Sequence, residues 1–318
     1  MKILVTGANG FVGTSLSHSL LQQGYELIKA VGAANQQYSA SSYVEIGFID
    51  AETDWQAALQ GAEVVVHLAA RVHVMQDKSI NPLAEFRKVN VDGTLNLARQ
   101  AAAAGIKRFI FISSVKVNGE ISVLSKPFTT EDIANPQDAY GLSKYEAEQG
   151  LILIANKTGM ELVIIRPPLV YGLGVKANFA TMFQAVKLGI PLPFGAIRNR
   201  RSFVYVENLV SLILRCIIHP AANNQIFFVS DGHDLSTTEL LQASAIAMGV
   251  KARLLPIPQK LLEVCATLAH KKDWAQRLCG NLQVDILKTC ELLDWQPPFT
   301  VAEGLKITAT GIMNEYKR

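Results

Sequence analysis

The sequence predicts an α/β fold in which a doubly wound parallel sheet precedes a smaller C-terminal lobe. Three observations support this prediction. Short apolar β runs alternate with helical stretches through the first half of the chain, the runs are almost uniformly apolar, and a glycine-rich turn follows the first of them. Strands without a polar face belong in parallel sheets that helices cover on both sides.

Each predicted element has a local reason in the sequence. The strands are short runs rich in Val, Ile, Leu and Phe, and we predict them over Lys2–Thr6, Tyr25–Val31, Val44–Ile49, Glu63–Leu68, Arg108–Ser113 and Leu162–Arg166. The helices have apolar residues three and four positions apart, and we predict them over Phe11–Gln23, Asp54–Gln60, Leu83–Ala104 and Ala139–Lys157. Gly24, Gly61 and Gly105 follow three of these helices, where glycine is a common C-terminal signal.

Beyond residue 166 the alternation gives way to shorter elements separated by prolines, beginning with Pro167-Pro168. We therefore predict a first domain over residues 1–166, completed by parts of 202–230, and a smaller lobe over most of 167–318. Within that lobe, the apolar stretch Leu261–Leu278 is expected to be a packed C-terminal helix, with a membrane-surface helix as the alternative.

Composition excludes several classes of partner. The chain has 318 residues, with 30 Lys and Arg against 27 Asp and Glu, and this small, scattered positive excess does not indicate nucleic acid. Its longest apolar stretches fall well short of the roughly 20 residues that span a bilayer. We therefore predict no membrane partner. The four cysteines lack the CxxC spacing of metal sites, so we also predict free thiols and no metal. A cytoplasmic location is the corresponding prediction, since the N-terminus shows no secretory pattern.

The glycine-rich turn reads Gly7-Ala-Asn-Gly10-Phe-Val-Gly13 and lies between the first strand and an amphipathic helix. Glycines in this position permit a tight turn and the close approach of a pyrophosphate to a helix N-terminus. We therefore predict a dinucleotide site and a Rossmann-like sheet, with a plain βα turn as the alternative. The spacing is GxxGxxG rather than the GxGxxG of ordinary dinucleotide-binding dehydrogenases.

A second pattern places possible acid–base groups on a helix. Tyr140 and Lys144 are four residues apart, which puts the phenol and the ammonium on one helix face. A nearby cation favours the phenolate, so the pair could act as a general acid and base, with an ordinary surface pair as the alternative when the motif is taken alone. Ser113 and Ser114 end an apolar strand, and ligands bind at such strand ends in open α/β sheets.

Together these motifs are similar to those of the extended short-chain dehydrogenase/reductase superfamily, specifically its branch of nucleotide-sugar epimerases, dehydratases and reductases. The resemblance covers nearly the whole chain. It rests on Thr6-Gly-Ala-Asn-Gly-Phe-Val-Gly13, His67-Leu-Ala-Ala70, Asn90-Val-Asp-Gly-Thr94, Ser113-Ser114, Tyr140-x-x-x-Lys144, Arg166-Pro167, Val170-Tyr-Gly172, Arg201-Ser-Phe-Val-Tyr-Val206 and Leu292-Leu-Asp-Trp295.

The resemblance implies a role for each matching residue. Ser114, Tyr140 and Lys144 match the catalytic serine, the base and its partner. The residues matching the cofactor site are Gly7, Asn9, Gly10, Phe11, Val12, Gly13, Asp50, Leu68, Ala69, Ala70, Asn90, Tyr140 and Lys144. Asn178, Phe194 and Arg201 resemble positions that hold a nucleotide diphosphate and its uracil, with Ser114 also facing the substrate. Glu146 and Glu148, on the Tyr140 helix, are expected on its solvent face.

Two departures from the family pattern lie on the substrate side. Val117-Asn118-Gly119 stands where relatives often have Val-Tyr-Gly, and Pro168 stands where many have Asn. The end of the second predicted strand, Lys29–Asn35, has neither the usual ribose-binding acid nor a clear arginine for a 2′-phosphate. We therefore predict NAD as the cofactor and keep NADP as the alternative.

The resemblance implies a UDP-sugar 4-epimerase, of the UDP-glucose or UDP-N-acetylglucosamine type, in the synthesis of surface polysaccharide precursors. A 4-keto reductase of a UDP-linked 6-deoxy-acetamido sugar is the first alternative, and a non-catalytic NAD(P)-sensing protein is the second. A homodimer is expected because relatives commonly pair through the Leu83–Ala104 and Ala139–Lys157 helices, both of which have surplus apolar residues.

Overall fold

The computed structural model describes residues 1–32, 43–72, 81–175, 178–269 and 272–315. Its strands are β1 Lys2–Thr6, β2 Glu26–Val31, β3 Tyr43–Glu45, β4 Val64–His67, β5 Arg108–Ile112, β6 Glu161–Arg166, β7 Leu169–Tyr171, β8 Phe203–Tyr205 and β9 Gln225–Phe228. Seven of them form one parallel sheet in the order β3-β2-β1-β4-β5-β6-β9, and β7 pairs with β8 in a separate small sheet. The predicted α/β fold class is confirmed.

Helices cover both faces of the large sheet. They are α1 Phe11–Gln22, α2 Gln56–Leu59, α3 Pro82–Arg87, α4 Thr94–Ala103, α5 Ala139–Thr158, α6 Asn178–Lys187, α7 Val206–Ile218, α8 Thr237–Met248, α9 Gln259–Leu268, α10 Lys272–Cys279, α11 Leu287–Leu293 and α12 Val301–Glu315. Successive strand residues face opposite sides of a sheet. In β1, Ile3 and Val5 pack toward α1 and α7, whereas Leu4 packs toward α4 and α5. Among the described residues, no helix has the length and apolar character needed to cross a membrane.

After the first elements of the second lobe, the chain adds one more helix and one more strand to the large sheet. α7 packs on the same face as α1, and β9 adds to the sheet beside β6, where Val163 pairs with Gln225. A separate core lies around the β7–β8 sheet and includes Phe183, Leu241 and Leu305. The two cores are consistent with the predicted division into a sheet domain and a smaller lobe, which stays a prediction.

The predicted single helix over Leu83–Ala104 is wrong in its middle. Six residues, Lys88–Gly93, form a π-helical segment between α3 and α4. Gly93 packs so closely on the chain after β3 that an added Cβ would lie 2.6 Å from Ile49 Cγ2. The wider turn also directs Asn90 inward, where the side chain is buried. π-helical turns of this kind are frequent at functional sites.

The packed helix predicted over Leu261–Leu278 is also wrong. The stretch forms two helices, α9 and α10, that pack against each other. Only Ala266 is buried along α9, so most of that helix faces solvent.

Candidate active site

The glycine-rich turn lies at the carboxyl end of β1, next to the end of β4. Gly7 has a left-handed φ of +66°, and an added Cβ would lie 2.9 Å from the backbone nitrogen of Ala69. At Gly13 an added Cβ would lie 2.1 Å from the Gly7 carbonyl oxygen. Two of the three glycines are therefore required by backbone packing between β1, β4 and α1. Gly10 is the N-cap of α1, and its added Cβ would meet only the Gly7 oxygen, at 3.1 Å.

A buried histidine at the end of β4 links β1 to α4 through its two ring nitrogens. His67 Nδ1 lies 2.7 Å from Thr6 Oγ1, and Nε2 lies 2.9 Å from Thr94 Oγ1. The Thr6 hydroxyl also accepts a hydrogen bond from the Ala69 backbone, 3.1 Å away. Burial, with Lys144 nearby, lowers the pKa of His67 to about 3, so the imidazole is neutral at physiological pH. His67 therefore positions the Leu68–Ala70 segment beside the glycine turn.

The other residues predicted for the cofactor site extend along this edge. Phe11 and Val12 begin α1 and pack partly against the second lobe's core. Asp50 follows β3, where one carboxylate oxygen accepts from the Glu52 backbone at 3.0 Å and the other lies 4.0 Å from Lys88 Nζ. Of the Lys29–Asn35 segment that bears on NADP, residues 33–35 lie outside the described part of the chain.

Asn90 connects the cofactor edge to the Tyr140 helix. Its amide oxygen accepts from the Arg71 backbone nitrogen at 2.8 Å, and its amide nitrogen donates to the Arg71 carbonyl at 3.1 Å. The same nitrogen donates to Ser143 Oγ at 3.0 Å. Asn90 therefore holds the chain after β4 against α5, one residue before Lys144.

Tyr140 and Lys144 lie one turn apart on α5, where Lys144 is buried and Tyr140 is half-buried. The Lys144 ammonium donates to the Ile112 carbonyl at 2.7 Å and lies 4.3 Å from the centre of the Phe111 ring. Burial lowers the pKa of Lys144 to about 7. The Tyr140 ring packs edge-on against Phe86, 6.0 Å between centres. Lys144 is thereby fixed to the end of β5, where Ser113 and Ser114 follow.

Ser114 begins the short turn after β5, and its hydroxyl accepts from the Lys116 backbone nitrogen at 3.2 Å. Ser113 is buried, and its hydroxyl has no hydrogen-bond partner among the residues that the structure describes. Because β1, β4 and β5 are neighbours in a parallel sheet, the glycine turn, Ala69 and Ser114 share one edge.

A charged cluster that the sequence analysis missed joins Ser114 to the start of α5. Asp138 is the N-cap of α5 and accepts from the Gly141 backbone nitrogen at 2.6 Å. Its other carboxylate oxygen pairs with Lys116 Nζ, which also donates to Glu120 at 3.0 Å. The signal available in the sequence was an Asp directly before a predicted helix, which is typical of an N-cap.

Asp138 acts on Tyr140 as well as on the helix. Burial first, and then the Asp138 carboxylate, raise the pKa of Tyr140 above its ordinary value.

We expect Asp138→Asn to retain the cap, since Asn and Asp are comparable N-cap residues. Loss of the negative charge lowers the pKa of Tyr140, so the acid limb of the kcat/KM–pH profile should move to lower pH. Asp132→Asn, at an exposed position of the preceding loop, is the matched control and should leave that limb in place; an unmoved limb in Asp138→Asn would contradict the assignment.

The solvent-face expectation is wrong for Glu148. That carboxylate is fully buried and forms a bidentate ion pair with Arg166, at 2.5 and 3.0 Å. Arg166 also donates to Asn118 Oδ1 at 2.9 Å. The cluster ties α5 to the end of β6 and to the turn after Ser114. Glu146 is partly buried and pairs with Arg87 at 2.5 Å.

In the second lobe, the two adjacent arginines point in different directions. Arg200 is exposed and pairs with Glu239 at 2.9 Å. Arg201 bonds to Leu235 through both backbone groups, at 3.0 Å each, and its guanidinium donates to the Gly280 carbonyl at 3.1 Å. Burial lowers the pKa of Arg201 to about 10, and the nearby Glu120 opposes this effect. A guanidinium has five N–H donors, so the Arg201 side chain retains capacity for an anion.

Phe194 and Asn178 are the remaining predicted substrate residues. The Phe194 ring packs against Trp274 of α10, with 5.7 Å between ring centres. Asn178 is the first residue of α6, and its side chain lies outside the described part of the chain.

The fold and this edge define a dinucleotide-binding enzyme. Residues 3–229 match the model of the NAD dependent epimerase/dehydratase family. The chain belongs to this family, which confirms the resemblance stated from the sequence motifs and the prediction of NAD as cofactor.

Relatives of known structure and name cover the whole chain. This chain is 50% identical over 318 residues to a UDP-glucose 4-epimerase of Vibrio cholerae, and the match covers 100% of this chain and 97% of that protein. The UDP-glucose 4-epimerase structure from Thermotoga maritima, determined with UDP-glucose, is 25% identical to this chain and has a TM-score of 0.78. The match covers 99% of this chain and 100% of that protein. The UDP-N-acetylglucosamine 4-epimerase of Bacillus cereus shares the fold, with a TM-score of 0.81 at 22% identity. The match covers 98% of this chain and 99% of that protein.

The residues at the glycine turn fit an NAD pyrophosphate. Helix α1 begins at Gly10 without a side-chain cap and has no acidic residue in its first turn. Its first backbone N–H groups are therefore available to an anion, and the helix dipole favours negative charge there. The absence of a side chain at Gly10 allows the phosphates to approach the backbone closely, while Gly7 and Gly13 permit the tight packing of the turn.

Proposed function

We propose that the protein is a cytoplasmic UDP-sugar 4-epimerase, of the UDP-glucose or UDP-N-acetylglucosamine type, that serves surface polysaccharide synthesis. The main support is that Ser114 follows β5 at the sheet edge that also holds the glycine turn, with Lys144 bonded to the end of β5, in a chain that is 50% identical to a UDP-glucose 4-epimerase along its whole length. The free thiols of Cys216, Cys265, Cys279 and Cys290 are compatible with a reducing compartment.

In the proposed mechanism, Tyr140 is the general base that removes the proton from the sugar 4-hydroxyl, and Ser114 holds the same oxygen by a hydrogen bond. NAD, when bound through the glycine turn, supplies the acceptor and donor of the C4 hydride. Lys144, whose position is fixed by the Ile112 carbonyl, stabilises negative charge near the phenol. After the 4-keto sugar turns in the site, Tyr140 returns the proton to the opposite epimer.

Cofactor retention separates this proposal from its alternatives. An epimerase regenerates NAD in every turnover and gains by holding it, whereas a 4-keto reductase must exchange its cofactor. We expect the purified protein to release NAD upon denaturation and to convert UDP-sugars catalytically. Stoichiometric oxidation of added NADH with a 4-keto sugar would favour the reductase, and cofactor binding without any turnover would favour a sensing protein.

Arg201 is proposed to hold the diphosphate of the substrate, because a guanidinium binds phosphate oxygens bidentately. We expect Arg201→Ala to raise the UDP dissociation constant by about tenfold to a hundredfold, corresponding to about 1.5–3 kcal/mol. NAD affinity should not change. Arg200→Ala is the matched control, since Arg200 is exposed and occupied by Glu239. Calorimetric titration with UDP tests both variants; equal affinities for Arg201→Ala and the parent would place the diphosphate elsewhere.

The proposal includes a homodimer formed through α4 and α5. Several of the apolar residues that suggested it are used within the chain: Leu97 and Leu151 are buried against the sheet, and Leu95 packs on Gly150. Leu153 remains 60% exposed on α5 and supports a partner at this face. Light scattering at micromolar concentration should give twice the 34.7 kDa chain mass; the mass of one chain would contradict the dimer.

A further inference from the structure

Helix α9 has an apolar stripe that the described part of the chain leaves largely exposed. Leu261, Val264 and Leu268 are spaced by three and four residues, which places them on one helix face. Their exposed fractions are 51%, 55% and 77%. Trp274 of the neighbouring α10 is 48% exposed. A contiguous apolar face on a surface helix marks an interaction site more often than scattered single residues do.

The residues that include this hairpin have a larger net positive charge than the chain as a whole. Residues 251–280 contain six Lys and Arg against two Asp and Glu, a net charge of +4, whereas the whole chain has +3. Lys251, Arg253, Lys260 and Arg277 are all exposed, and Glu263 is the acidic residue of α9. The rest of the chain therefore has a net charge of −1. Lys260 lies on the same helix as the apolar stripe, and Arg277 lies on the neighbouring α10.

We propose that α9 and α10 dock the protein on the surface of an anionic phospholipid bilayer, with the stripe inserted among the headgroups. An apolar helix face bordered by Lys and Arg, with a nearby Trp, is the composition of helices that lie in a membrane interface. The basic residues add attraction to anionic lipids. This form of attachment needs no membrane-spanning helix.

A second copy of the chain fits this face less well. The stripe from Leu261 to Leu268 is about 11 Å long at the helical rise of 1.5 Å per residue. Three half-exposed aliphatic side chains fall well short of the roughly 800 Å² per partner found in stable interfaces. A two-fold contact would also bring Lys260 and its basic neighbours toward their own copies.

Docking at this face would bring the second lobe's candidate substrate residues to the membrane. Trp274 packs on Phe194, and the chain leaving α10 provides the Gly280 carbonyl that binds Arg201. The inference does not depend on the proposed sugar chemistry, since it rests on surface residues alone.

Sedimentation of the full-length protein with lipid vesicles tests the proposal. We expect binding to vesicles of phosphatidylglycerol and phosphatidylcholine, much weaker binding to phosphatidylcholine alone, and loss of binding in 0.5 M salt. Leu268→Glu should raise the lipid concentration for half-binding by about tenfold or more. Ile246→Glu is the matched control, because Ile246 is 80% exposed on α8 and outside the stripe; its binding should equal that of the parent.

Failure of the parent protein to sediment with anionic vesicles would overturn the proposal, as would equal binding by Leu268→Glu and Ile246→Glu. A drop in solution mass caused by Leu268→Glu, without a change in vesicle binding, would assign the stripe to a second copy instead. Turnover of a soluble UDP-sugar without vesicles should be the same in all three proteins, so loss of sugar chemistry and loss of docking are distinguishable.

Discussion

Replacing Tyr140 with phenylalanine should reduce kcat by about 10²–10⁴-fold, the usual contribution of a positioned general acid or base. The substitution removes only the hydroxyl. The ring packs edge-on against Phe86, and phenylalanine can keep this contact. We therefore expect the melting temperature and the affinity for NAD to stay close to those of the parent. Steady-state kinetics with a UDP-sugar, together with a thermal melt, measures both parts of the prediction.

Tyr145→Phe is the matched control, since Tyr145 lies on the same helix and is partly exposed. It should retain the parent's kcat. A decrease of less than tenfold in Tyr140→Phe would show that another group removes the proton, and the assignment of the α5 face as the acid–base site would be wrong.

The second large effect is expected at the glycine turn. Gly10→Val places a branched side chain where we expect the pyrophosphate to meet the backbone, so NAD affinity should fall by about a hundredfold or more. The fold should survive. Gly10 has an ordinary φ of −75°, and an added Cβ would meet only the Gly7 carbonyl oxygen. Calorimetric titration with NAD, and separately with NADP, measures the loss.

Gly13→Ala separates loss of binding from loss of fold. An added Cβ at Gly13 would lie 2.1 Å from the Gly7 oxygen and 2.7 Å from the Ala8 Cα, so α1 would have to move away from β1. We therefore expect a clear fall in melting temperature for Gly13→Ala but a shift of only a few degrees for Gly10→Val. Unchanged NAD affinity in a folded Gly10→Val protein would refute the assignment of the turn.

The parts of the fold that the sequence predicted correctly depend on local patterns. The end of β1, the glycine turn and the start of α1 were all predicted at the residues where they occur, because strand apolarity, glycine spacing and helical periodicity are read within a few residues. Ser114, Tyr140 and Lys144 were proposed in the same way, since each belongs to a short motif at a strand end or on one helix face, and their roles stay predictions.

The features that were missed depend on partners distant in sequence. Glu148 resembles a surface residue until Arg166, on the neighbouring strand, supplies its buried counter-charge. The π-helical segment Lys88–Gly93 was missed as well, and within it the Asn90 amide pairs with the Arg71 backbone, 19 residues away. The exposed stripe of α9 has the pattern of a packed helix, and only the three-dimensional arrangement shows that nothing among the described residues covers it.

The measurement that tests the account most directly is incubation of the purified protein with UDP-glucose and with UDP-N-acetylglucosamine, without added NAD or NADH. NMR of the sugar anomeric protons follows the products. We expect conversion of at least one of these UDP-sugars to its C4 epimer over many turnovers per chain, approached from both sides of the equilibrium. No epimer from either sugar, or product only in proportion to added NADH, would contradict the account.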